Sequence, residues 1–101
     1  MFDRLDQLEA RYEELTKALS SPEIAADQAR YQKSAKAHSD LTPVVERYRE
    51  FKDLKRGIAE SRAVIAEEGD AAMRAYALEE LGKLEARLAQ VEQEIKVLLI
   101  P

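Results

Sequence analysis

Cysteine is absent from this sequence, which removes disulfides, thiolate metal sites and thiol nucleophiles together and is compatible with a reducing cytoplasm. No apolar run exceeds the four residues Val97-Leu98-Leu99-Ile100, far short of the ~20 that a membrane-spanning helix needs. Met1-Phe2-Asp3-Arg4 leads straight into an amphipathic pattern, with no apolar stretch of the signal-peptide kind. A soluble, cytoplasmic chain is therefore expected. Glycine and proline number three each, too few for the many turns of a sheet protein. The glycines, Gly57, Gly69 and Gly82, are too scattered to form a phosphate-cradling loop. His38 is the single histidine, so no histidine cluster can hold a metal.

What remains is rich in alanine, leucine, glutamate, lysine and arginine, which lose little side-chain freedom in a helix. At 101 residues, the chain is long enough for one domain with a modest core. Leu5, Leu8, Tyr12, Leu15 and Leu19 recur at steps of three and four and so fall on one stripe of a helix. Ser20-Ser21-Pro22 interrupts that stripe; proline there suits the first turn of a new helix with Ser21 as cap, and Glu23-Ile24-Ala25 reads as a brief turn before Asp27, a good N-cap. A second stripe follows, with Tyr31, His38 and Val45 spaced by sevens and Val44, Phe51, Ile58 and Ile65 carrying the seam onward. Pro43 interrupts the backbone hydrogen bonds but not the apolar pattern, which predicts a kinked but continuous helix. Gly69-Asp70 supplies a helix end and a new cap. Leu81, Leu84, Leu88, Val91, Ile95 and Leu98 then keep strict three-four spacing, with Met73 and Leu78 leading in.

The expected fold is all-α: three long antiparallel helices over about residues 2–20, 28–68 and 71–98, joined by short breaks. They would form an up-down-up bundle, or a coiled-coil hairpin with the first helix packed alongside, in a single helical domain spanning 1–101. The end at Leu98-Leu99-Ile100-Pro101 leaves apolar residues uncovered and reads as a truncation from a larger protein.

Charge is unevenly distributed. Seven acids face three bases from Met1 to Asp27, five face nine from Gln28 to Arg62, and eight face four from Ala63 to Pro101. Ion pairing between a basic middle helix and two acidic neighbours accounts for this most simply. A second reading has part of the basic helix facing a polyanion such as RNA, and its candidate contact residues are Arg49, Lys52, Lys55 and Arg56. Tyr12, Tyr31 and Tyr48 lie on apolar stripes, where packing is their expected use; Tyr76 lies off the stripe.

Catalytic chemistry finds no footing. The pairs Glu13-Glu14, Glu67-Glu68 and Glu79-Glu80 are neighbours in sequence, which turns their side chains about 100° apart on a helix, onto solvated faces. The Glu-x-x-His motif of di-metal bundles is absent. His38 sits on the packing face and reads as a core or rim histidine. No catalytic residue, metal ligand or cofactor is expected. Contact is the remaining function class, with coiled-coil oligomerisation or a small RNA-binding bundle as generic forms of it.

A more specific form comes from the order of features. The leucine-striped first helix, Ser21-Pro22-Glu23-Ile24-Ala25-Ala26-Asp27, Tyr31, Leu41-Thr42-Pro43-Val44-Val45 with Tyr48, Asp70 through Met73-Arg74, Glu79-Glu80-Leu81 and the terminal Leu98-Leu99-Ile100-Pro101 follow one another along the chain. Together they resemble the N-terminal domain of bacterial class I peptide chain release factors, of the type that reads UAG and UAA. The resemblance implies a protein that hydrolyses the ester of peptidyl-tRNA at a stop codon. The family's Gly-Gly-Gln and codon-reading Pro-x-Thr type motifs are not in these 101 residues, so no residue here inherits either role. What the resemblance leaves to this domain is a ribosome contact, at the stalk base of the large subunit near the GTPase-associated region, and an influence on recycling by the class II release factor GTPase. It implies neither a membrane nor a small-molecule substrate.

Overall fold

The computed structural model describes every residue from Met1 to Pro101. It is an all-α helical bundle with no strand, about nine-tenths helical. Four helices follow in order: α1 (Phe2–Leu19), α2 (Pro22–Ala26), α3 (Gln28–Glu67) and α4 (Ala71–Leu98). None is long and apolar enough to cross a membrane. The segment read in the sequence as a turn through Glu23-Ile24-Ala25 is instead the short helix α2. Pro22 opens it at a position where a missing N–H costs nothing, because first-turn donors have no partner inside the helix. Ser21 occupies the N-cap but makes no side-chain capping bond.

Two of the expected caps form as chemistry predicts. Asp27 Oδ1 accepts from the Arg30 N–H at 3.1 Å, satisfying one open donor at the start of α3. Asp70 Oδ1 accepts from Ala72 N and Met73 N at 2.9 and 3.0 Å and starts α4. Gly69 behaves otherwise: no glycine in the chain has a positive φ, so the end of α3 does not use the left-handed conformation that glycine makes available. Through Pro43, α3 runs without interruption. The lost bond is the one to the Ser39 carbonyl, and both residues lie on the exposed face, so the carbonyl is open to solvent.

The chain divides into two compact units, Met1–Glu46 and Arg47–Pro101, with the boundary inside α3. In the first, α1 and the opening half of α3 are neighbours that meet where Thr16 and Tyr12 approach His38. Its buried apolar residues are Leu5, Leu15, Val44 and Val45. The stripe position Tyr31 departs from expectation: it stands 41% exposed near the start of α3. In the second unit, the rest of α3 and α4 form an antiparallel hairpin, with Arg62 reaching Glu85 and Arg47 reaching Glu94. Tyr48, Phe51, Ile58, Val91 and Ile95 are buried there, the last two completely. Toward the 68–70 connection the α4 stripe loses its cover, and Met73 and Leu78 are more than half exposed.

Candidate functional site

Within the second unit, α3 carries the four basic residues singled out in the sequence. Arg49, Lys52 and Arg56 are three and four residues apart, which puts them on one side of the helix, and Lys55 lies beside them. Arg49, Lys55 and Arg56 are exposed, whereas Lys52 is half-buried. The Lys52 ammonium sits 4.4 Å from the centroid of the Tyr48 ring, whose negative π face attracts it. Arg56 pairs with Asp53 one turn back. Lys55 borders a shallow depression between α3 and α4 together with Ile58, Arg62, Glu85, Leu88 and Glu92. The structure therefore brings all four cations to one region of one helix, where Lys52 rests on Tyr48 and Arg56 pairs with Asp53.

The ion pairs expected between the basic helix and its acidic neighbour are present beside that stripe. Arg87 of α4 donates from Nε to Glu50 Oε2 at 2.7 Å and from Nη2 to Glu50 Oε1 at 2.9 Å. Glu94 lies 3.6 Å from Arg87 and 3.8 Å from Arg47, so two arginines and two glutamates interleave. The Arg87 hydrogen bond holds the Glu50 carboxyl below its ordinary value; partial burial opposes this, and the positive charges of Arg87 and Arg47 reinforce it. Arg87 is raised in return, chiefly by the same bond. Arg47 Nε is buried without a hydrogen-bond partner. Sequence reading missed this cluster because its members come from two helices. The signal available was the spacing Arg47/Glu50 on one helix and Arg87/Glu94 on the other.

In the first unit, His38 takes the rim role its position implied. Its ring stacks on Tyr12, with centroids 4.2 Å apart and planes inclined by 21°, and its Nε2 lies 3.0 Å from Thr16 Oγ1. Tyr76, read as off the stripe, is 67% exposed on α4.

These features are an ionic cluster, a cationic stripe and an aromatic stack, all suited to holding surfaces together. A family model for the PCRF domain matches residues 8–101, nearly the whole chain. The chain belongs to the PCRF domain family. Among its relatives, peptide chain release factor 1 of Acidobacterium capsulatum is 50% identical over all 101 residues, which amount to 28% of that protein. The corresponding proteins of Syntrophomonas wolfei and Nitratidesulfovibrio vulgaris are 46% and 43% identical over the same span, again 28% of their lengths. This PCRF chain thus spans between a quarter and a third of the curated relatives it matches, in their N-terminal region. No solved structure matches it significantly.

Proposed function

We propose that this chain is the ribosome-contacting N-terminal domain of a peptide chain release factor that directs translation termination at UAG and UAA codons. The observation that carries the reading is identity of 40–50% along the entire chain to proteins named peptide chain release factor 1. In this reading, the chain is one helical domain of a longer cytoplasmic protein. Codon reading and ester hydrolysis reside in the remainder of that protein. The domain acts by contact, at the stalk base of the large subunit and on recycling by the class II release factor GTPase, and uses neither a membrane nor a small-molecule substrate.

The cationic stripe is the part of the surface suited to ribosomal RNA. Arg49, Lys55 and Arg56 present exposed cations along one helix, and Lys52 supports them from the Tyr48 ring. Phosphate contacts of this kind release counterions, so they weaken as salt rises.

Reconstituted termination complexes provide the test. The 101-residue chain alone should release no peptide. A parent protein lacking these residues should still release peptide at UAG and UAA while being recycled poorly. Peptide release by the isolated chain would overturn the reading, as would unchanged recycling of the shortened parent.

A further inference from the structure

Near the 68–70 connection, α3 and α4 enclose a groove of about 400 Å³ that none of the contacts described above uses. Its floor is apolar: Val64 from α3 and Met73, Tyr76 and Leu84 from α4. Val64, Met73 and Tyr76 are each more than half exposed. Such residues cost free energy in water when they cluster, and a partner that covers them recovers it. The rim has the opposite character. Glu60, Glu68 and Glu80 border the groove, and six acids stand against three bases over residues 60–84. Glu80 is within 3.4 Å of Lys83, and Glu68 accepts the Asp70 N–H at 2.9 Å, but neither interaction reverses the acidic balance.

That charge selects the occupant. An acidic rim repels nucleic-acid phosphates and anionic lipid headgroups, and two copies meeting groove to groove would bring acid against acid. A helix that lays an apolar stripe into the groove and flanks it with lysines or arginines satisfies both the floor and the rim. We propose that the α3–α4 groove is a docking site for a basic amphipathic helical segment of a partner protein. The site is distinct from the cationic stripe and does not depend on that stripe binding RNA.

The probe is a synthetic amphipathic helical peptide of leucine and lysine, titrated into the 101-residue chain and followed by amide chemical shifts. Its control has the same apolar face with glutamate in place of lysine. Saturable shifts centred on Val64, Met73, Tyr76 and Leu84 are expected for the lysine peptide and not for the glutamate one. Val64→Ser with Met73→Ser should weaken binding about tenfold, and so should Glu60→Lys with Glu80→Lys, since each pair removes one of the two matched features. All four positions lie on the surface or its edge, and helical circular dichroism verifies that the variants stay folded. Shifts centred elsewhere, equal binding of both peptides, or binding insensitive to both pairs of substitutions would sink the proposal. So would concentration-dependent shifts of the same residues without peptide, because the occupant would then be a second copy.

Discussion

Arg87 holds Glu50 in a two-pronged grip, Nε on one carboxylate oxygen at 2.7 Å and Nη2 on the other at 2.9 Å, and so ties α4 to α3 within the Arg47–Pro101 unit. The planar guanidinium fork matches the carboxylate in a way that an ammonium cannot, because lysine offers a point charge without fixed directions. Arg87→Lys should therefore behave more like Arg87→Ala than like the wild type in thermal melts. A lysine variant that melts with the wild type would show that charge alone suffices.

The same pair makes stability depend on pH. Arg87 lowers the Glu50 carboxyl below its ordinary value, so the folded state binds this proton more weakly than the unfolded chain does. The stabilisation is complete above the unfolded value and is lost as pH falls through the lower folded one. Denaturant melts from neutral pH down to below ~4 should show a decline that Glu50→Gln flattens. Equal slopes for the two proteins over that range would assign the decline to other carboxylates.

The three long helices and the caps at Asp27 and Asp70 were legible in the sequence because each depends on neighbours along the chain, whereas α2 is too short to show a stripe. The Asp27 and Asp70 caps follow from residue type at a break in the stripe, and the continuity of α3 through Pro43 follows from an apolar pattern that runs on both sides of it. Depth of burial was less legible. Tyr31, Met73, Leu78 and Leu98 satisfy stripe spacing but are exposed, since spacing gives the side of a helix and not how far a neighbouring helix extends along it. The Glu50–Arg87 grip was hidden for a related reason: its partners are 37 residues apart, and only the register of the hairpin joins them. Of the cationic stripe, the sequence supplied the residues but not that Lys52 rests on Tyr48 or that Arg56 pairs with Asp53.

Burial also ranks the apolar positions of α4. Ile95 is completely buried, whereas Leu98, one turn further, is 43% exposed. Ile95→Ala removes packing and leaves a cavity, at a cost of about 2–5 kcal/mol. Leu98→Ala should cost less than about 1 kcal/mol, because water already covers much of that side chain. Chemical denaturation of both variants measures the contrast, and similar losses would mean that the end of α4 is better covered than its exposure indicates.

Two helical glycines offer gains. A Cβ on Gly57 would meet Leu84 Cδ1 at 3.5 Å, an ordinary van der Waals contact, and one on Gly82 would meet nothing within 4 Å. Neither has a positive φ, so alanine fits both backbones. Each Gly→Ala change should add up to about 1 kcal/mol by restricting the unfolded chain and favouring helix. Gly57→Leu should destabilise instead, because the larger side chain would have to displace Leu84. A stabilised Gly57→Leu variant would contradict the close approach of α3 and α4 at this point.

Thr16 Oγ1 lies within hydrogen-bond distance of both the Tyr12 carbonyl and His38 Nε2. Its single hydroxyl hydrogen is directed to the Tyr12 carbonyl at 2.9 Å, which leaves Oγ1 only as an acceptor toward His38 Nε2 at 3.0 Å. This arrangement predicts a hydrogen on His38 Nε2, and the stack on Tyr12 keeps the ring oriented for that bond. Nitrogen-15 shifts of the imidazole above neutral pH should show the Nε2–H tautomer in excess of the ordinary mixture. Thr16→Val removes the acceptor with little change of shape and should relax that excess while destabilising the first unit by about 1 kcal/mol. An Nδ1–H imidazole in the wild type would mean that Thr16 donates to the ring instead, and that the hydroxyl hydrogen does not close the α1 turn.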